Sequence, residues 1–263
     1  MPVMCLLVLA WMKHPRYRLV VAANRDEFHE RPAAPLAWWG DGVAMLSGRD
    51  LAAGGTWTGV DRAGRFGAVT NFREPNQAAS PGTPSRGMLV PRFLAGDMAP
   101  ADFIERLGES AAEFAGFNLI VGGSRSLLYF SNRSADVPRQ LQPGVYGLSN
   151  HELDSPWPKL TRARERLAAE IDRSGEPEVA ALFDLLADRR PADDQVLPGK
   201  GLPEDLERAI SAPFVQHPRY GTRCSTVLLA GHDGRVVTAE RRFDAAGRLT
   251  GATRIEFAIY EPR

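Results

Sequence analysis

Two cysteines, Cys5 and Cys224, stand at opposite ends of a 263-residue chain. A thiol attacks as its thiolate, so either would need surroundings that favour that form. Their separation makes neither a disulfide framework nor a zinc-ligand spacing. His14, His29, His151, His217 and His232 are scattered singly. The densest polar block is Asn24-Arg25-Asp26-Glu27. It reads either as a loop, in which Asn and Asp bond their own backbone and Arg forms an ion pair, or as the lining of a site. Gly54-Gly55-Thr56-Trp57 carries no phosphate-binding glycine pattern before a helix and reads as punctuation leading into a strand, with Trp57 a packing residue. Cys224, beside Arg223 at a strand start, reads as core filling.

The elements that must position these groups alternate between sheet and helix. Short apolar segments at 5–12 and 18–23, separated by His14-Pro15-Arg16, predict a strand hairpin with the Asn24 block after it. A second hairpin is predicted at 56–60 and 65–70 around Asp61-Arg62-Ala63-Gly64. From Arg86 the spacing turns helical through Leu89, Phe93, Leu94, Phe103, Ile104 and Leu107, with Pro100 suited to a first turn. Strands are expected at 117–122, 127–131 and 145–149. A long helix follows from about Asp154, with Leu160, Ala163, Leu167 and Ile171 on one stripe. Helical pieces at 178–188 and 204–210 precede strands at 226–230, 236–241 and 254–260. This order reads as an α+β layered protein with residues 1–263 in a single domain. Pro- and Gly-rich stretches at 75–84 and 191–203 read as surface loops or lids.

Composition excludes several function classes. An apolar fraction of 44% with 24% charged residues is that of a globular chain, not of a disordered or membrane-embedded one. Lysine plus arginine and aspartate plus glutamate both number 32, so nothing drives general binding to nucleic acid or an anionic membrane. The apolar run at 4–12 is too short for a transmembrane segment and lacks the flanks of a signal peptide. Two unpaired cysteines suit a reducing compartment, and a cytoplasmic location is expected.

The Asn24 block, the Met-Cys start, Gly54-Gly55-Thr56-Trp57, Thr70-Asn71-Phe72, Gly116-Phe117-Asn118-Leu119-Ile120, Gly147-Leu148-Ser149-Asn150 and Gly221-Thr222-Arg223 are ordered across nearly the whole chain. Together they resemble the NRDE family, that of transport and Golgi organization protein 2. That family in turn resembles the N-terminal nucleophile (Ntn) hydrolases of the penicillin V acylase and bile salt hydrolase branch. The resemblance implies a four-layer αββα sandwich. It also implies a site of Cys5, Arg25, Asp26, Asn71, Asn150 and Arg223, acting without a cofactor or a metal.

In that scheme Cys5 is the nucleophile and its own α-amine the base. Arg25 lowers the thiol pKa, Asp26 holds the amine, and Asn71 and Asn150 donate to an oxyanion. Four residues precede Cys5, whose nitrogen is then an amide and no base. The scheme therefore needs translation from Met4 or removal of a short prepeptide. Otherwise Cys5 is an inert strand thiol, and Asn71 and Asn150 are strand-end turn formers.

Family members are implicated in haem trafficking, with a link to acyl-CoA or lipid metabolism. The resemblance therefore puts first a haem-binding, haem-trafficking protein with haem as non-covalent cargo and His151 as the histidine to test. With no Cys-x-x-Cys-His motif and no Cys-Pro pair, covalent attachment is not expected. The second reading is an N-terminal cysteine amidohydrolase or acyltransferase acting on an N-acyl or acyl-CoA substrate, the bond broken in an N-acyl substrate being a non-peptide C–N bond. The third is a non-catalytic interaction protein. Across the first two, the expected partner is a small hydrophobic or amphipathic ligand.

Overall fold

Alternation along the first strand, β1 (Cys5–Trp11), divides its side chains between two cores. Leu7, Leu9 and Trp11 enter the space between two sheets, whereas Leu6, Val8 and Ala10 face helices. The computed structural model describes residues 5–40, 44–74, 82–173, 175–193 and 202–259. The residues ahead of Cys5, most of the 75–84 segment and the centre of the 191–203 segment lie outside the described residues.

In chain order, β1 is followed by β2 (Tyr17–Phe28), β3 (Ala33–Trp38), β4 (Met45–Asp50), β5 (Thr58–Asp61) and β6 (Phe66–Asn71). Two helices come next, α1 (Leu89–Ala95) and α2 (Pro100–Gly108), then β7 (Phe117–Gly122), β8 (Leu127–Ser131), β9 (Arg139–Gln140) and β10 (Gly144–Leu148). The helices α3 (Pro158–Ile171), α4 (Val179–Leu186) and α5 (Glu204–Ile210) lead into β11 (Tyr220–Gly231), β12 (Arg235–Phe243) and β13 (Leu249–Ala258). All pairings are antiparallel. One sheet has the order β10-β1-β2-β11-β12-β13 and the other β3-β4-β5-β6-β7-β8-β9.

The apolar stripe Leu160, Ala163, Leu167 and Ile171 of α3 packs with α4 on the outer face of the first sheet. Phe93 and Leu94 of α1 and Phe103, Ile104 and Leu107 of α2 cover the outer face of the second. A third cluster, including Leu9, Val21, Phe66, Ile120 and Tyr129, fills the space between the sheets. Helices, sheet, sheet and helices form the expected αββα order. Among the described residues, no helix is long and apolar enough to cross a membrane.

The paired strands β2 and β11 run further than the sequence predicts. Asn24-Arg25-Asp26-Glu27 does not follow β2; it lies inside it. Polar residues read as a loop because an interior strand normally carries apolar side chains, but here β11 continues the ladder past them, pairing Ser225 with Asn24 and Thr222 with Asp26. The register shifts between Thr222 and Cys224, which leaves Arg223 as the extra residue of a bulge.

Candidate active site

Period-two alternation sends neighbours in the Asn24 block to opposite faces of the first sheet. Arg25 and Glu27 face the space between the sheets, where they line a cleft of about 230 Å³ together with Cys5 and Asn71. Asn24 and Asp26 face the helices. Asn24 donates to the carbonyls of Leu186 at 2.9 Å and Pro213 at 2.8 Å, and accepts from Ser225 Oγ at 2.6 Å. It ties a helix end to the sheet, a structural role.

Cys5 opens β1 directly opposite Arg25 and is 9% exposed. Its backbone nitrogen donates to Oδ1 of Asn150 at 2.9 Å, and its carbonyl accepts from Ser149 Oγ at 2.7 Å. Burial, then the Asp26 carboxylate, push the thiol from 9.0 up to about 12; the Asp26 backbone N–H and the Arg25 guanidinium pull the other way and lose. With Cys5 in peptide linkage the thiol is therefore neutral at pH 7.

Arg25 is 4% exposed and lies over the Trp57 ring at 4.6 Å, with Asp50 at 3.2 Å and Glu27 at 3.7 Å. Trp57 is thus a stacking partner for the cleft arginine as well as a packing residue. Gly55 sits so close to the Gly87 backbone that a Cβ would meet its carbonyl. That approach lets Thr56 N donate to Gly87 O at 2.9 Å and brings Arg86 into the cleft wall.

The segment after β10 stitches the two sheets together at this end. Thr70 Oγ1 donates to Ser149 O at 2.7 Å, Asn150 Nδ2 to Asn71 O at 2.9 Å, and Arg73 N to Asn150 O at 2.7 Å. Asn150 is fully buried, its Oδ1 turned to the Cys5 nitrogen and its Nδ2 to the Asn71 carbonyl. The Cys5 nitrogen, which the resemblance assigned to Asp26, is thus hydrogen-bonded by Asn150.

Asp26 Oδ1 accepts from Thr222 Oγ1 at 2.6 Å, and Oδ2 has no hydrogen-bond partner. Burial raises its carboxyl from 3.8 to about 7, against the opposing pull of Lys159, the Thr222 hydroxyl and Arg25. Lys159, 1% exposed in the first turn of α3, likewise has an Nζ without a hydrogen-bond partner among the described residues. Burial lowers its pKa, while Asp26 and Cys5 raise it. Sequence reading missed this lysine, because a lysine in a first helical turn ordinarily faces water. The chance to find it lay in its place on the stripe side, one residue before Leu160.

Besides Asp26 on the helix face, Arg223 and His151 lie away from the Cys5 cleft. Arg223, the bulge residue, donates to the Phe28 and His29 carbonyls and lines a second cleft with Cys224, Glu240 and Arg242. The stacked Arg25 and Trp57 line both clefts and stand between them. Cys224 is buried on the far side of Arg25 from Cys5, in the strand pairing β2. His151 is exposed between Phe72 and Trp157, at ring separations of 5.2 and 5.9 Å, and its Nδ1 lies 2.9 Å from Ser155 Oγ. It does not line the Cys5 cleft. Among the described residues, no three His, Cys, Asp or Glu side chains gather as a metal site.

The family model described as Transport and Golgi organisation 2 matches residues 4–245. A Bos taurus protein named Transport and Golgi organization protein 2 homolog is 35% identical, covering 90% of this chain and 92% of its own length. The Homo sapiens protein of that name is 33% identical over the same shares. A solved Caenorhabditis elegans N-acylethanolamine-hydrolyzing acid amidase (NAAA) ortholog aligns with a TM-score of 0.49 at 10% identity, over 86% of this chain and 92% of that one, a likeness too weak to bear on chemistry. With a family model spanning nearly its whole length and full-length relatives above 30% identity, the chain belongs to the Transport and Golgi organisation 2 family.

Proposed function

We propose that the chain is a cysteine amidohydrolase or acyltransferase that becomes active once Cys5 has a free α-amine. One observation carries the reading: the Cys5 nitrogen is held by Asn150 while its thiol opens into a cleft shared with Arg25 and Asn71. A released amine would carry positive charge beside the thiol, which favours the thiolate that burial now suppresses. That charge is the thiol's own proton, taken up by the neutral amine; the thiolate so formed attacks the carbonyl carbon of an N-acyl substrate, and the C–N bond breaks as the ammonium passes that proton to the leaving nitrogen. Water, or an acceptor nucleophile, next cleaves the thioester and restores the thiol.

Haem handling finds less support in the geometry. His151, the histidine singled out for haem, stands outside the Cys5 cleft, and among the described residues no other histidine lines it. The relatives' names speak of transport, which a ligand-binding cleft also serves. The reading includes a cytoplasmic location, supported by both cysteines being free.

The test is a chain verified by mass to begin at Cys5, incubated with an acyl p-nitrophenyl ester. A mass increase of one acyl group on Cys5, absent in Cys5→Ser, is expected. No acylation of that verified chain, together with a Soret shift on haem titration, would reverse the order of the two readings.

A further inference from the structure

The charges around the cleft do not cancel. Arg25 and Arg31 are both paired with Asp50, at 3.2 and 2.7 Å, and with Glu27, at 3.7 and 3.5 Å, a neutral quartet. Glu74, nearby, is held by Arg133 at 2.6 Å. Arg86 is left over. Its Nη1 donates to the Gly116 carbonyl at 2.8 Å, and among the described residues no carboxylate lies within ion-pair distance of it. It lines the cleft together with Cys5, and beside it stand Thr83 and Ser85, whose hydroxyls have no hydrogen-bond partner among the described residues.

A half-buried guanidinium pinned by one nitrogen keeps the rest of its planar fork free, a geometry suited to an oxyanion. The pin fixes the direction of the fork, so little side-chain freedom is lost on binding. From these facts we infer that Arg86, with the Thr83 and Ser85 hydroxyls, is an anion subsite that selects ligands carrying a carboxylate or phosphate close to the carbonyl group presented to Cys5. The inference rests on the Cys5 reading only for which end of the ligand meets the thiol.

Binding without turnover separates the two. Full-length Cys5→Ala protein is titrated calorimetrically with N-lauroylglycine, lauroyl phosphate and the neutral N-lauroylethanolamine. The anionic probes are expected to bind about tenfold tighter than the neutral one, the worth of one charge-assisted contact. Arg86→Gln should bring that ratio near one, and Arg86→Lys should restore part of it, which excludes a folding defect as the cause. Lauroyl phosphate binding tighter than N-lauroylglycine assigns the site to phosphate; the reverse order assigns it to carboxylate. Equal affinities for charged and neutral probes, or no binding of either anion, overturn the subsite. Failure of Cys5 to acylate, with the tenfold ratio intact, overturns the catalytic reading alone.

Discussion

Asn150 Oδ1 lies 2.9 Å from the backbone nitrogen of Cys5, across 145 positions of sequence, and both residues are buried. This side-chain amide fixes the nitrogen at which β1 opens. Since Nδ2 of the same amide holds the Asn71 carbonyl, one side chain sets β1 against the second sheet.

Asn150→Ala removes both bonds, leaving the buried Cys5 N–H without this acceptor and the part-buried Asn71 carbonyl without this donor. A cost of about 1–3 kcal/mol is expected for the buried N–H, with a smaller addition for the carbonyl. Urea unfolding measures it. A loss below about 0.5 kcal/mol would show that the 149–151 segment relaxes to satisfy both groups.

The neutral Cys5 thiol predicts slow alkylation. With its pKa near 12, roughly one molecule in ten thousand is thiolate at pH 8. Iodoacetamide labelling of the chain from Met1, followed by mass spectrometry, should be slow at pH 8 and rise steeply towards pH 10. A chain beginning at Cys5 should react at least about tenfold faster, because the new ammonium sits beside the sulfur. Equal rates would mean that access, not ionisation, limits the thiol.

Asp26 predicts a pH dependence with a definite sign. Its folded pKa, about 7, lies above its ordinary 3.8, so between those values the folded chain binds the proton that the unfolded chain has lost. Its contribution is fully present below pH 4 and is lost as pH rises through 7, by up to about 4 kcal/mol. Relative to Asp26→Asn, the wild type should therefore lose ground in urea unfolding between pH 4 and 8. Parallel curves would contradict the raised pKa.

Lys159 supplies the positive charge that pulls the Asp26 carboxyl down. In Lys159→Met the midpoint of that pH dependence should move upward, with stability at pH 5 within about 1 kcal/mol of wild type, because an apolar side chain of similar length replaces a buried ammonium without a hydrogen-bond partner. An unmoved midpoint would mean that the two groups do not act on each other.

Gly55→Ala places a methyl group against the Gly87 backbone, which cannot swing aside as a side chain can. A loss of about 1–3 kcal/mol is expected in thermal or urea unfolding. The segment carrying Arg86 would shift with it, so weaker binding of N-lauroylglycine should accompany the lost stability.

Much of this architecture is set by local pattern. The hairpin at Asp61-Arg62-Ala63-Gly64 forms with Gly64 at a φ of +73°, a conformation that glycine adopts without strain. The α3 stripe from Leu160 to Ile171 is buried as its spacing predicts, and alternation in β1 sorts its side chains between two cores. Ordered motifs also carried family membership, and with it the layer order. What local pattern could not supply is which polar residues belong inside. Asn24, Arg25 and Asp26 read as a loop because partners of their side chains, Leu186, Pro213, Thr222, Ser225 and Asp50, come from other elements. Lys159 drew no notice in the sequence, because its place beside Asp26 is set by how α3 packs on the sheet. A single bulge took Arg223 into the second cleft, and period-two alternation put Asp26 and Arg25 on opposite faces. Sequence alone therefore determined the family and most of the elements in their order, because those follow from neighbours along the chain, though β3, β4 and β9 were not predicted. Tertiary structure decided which charges meet, because strand register and helix placement bring together groups that sequence holds far apart.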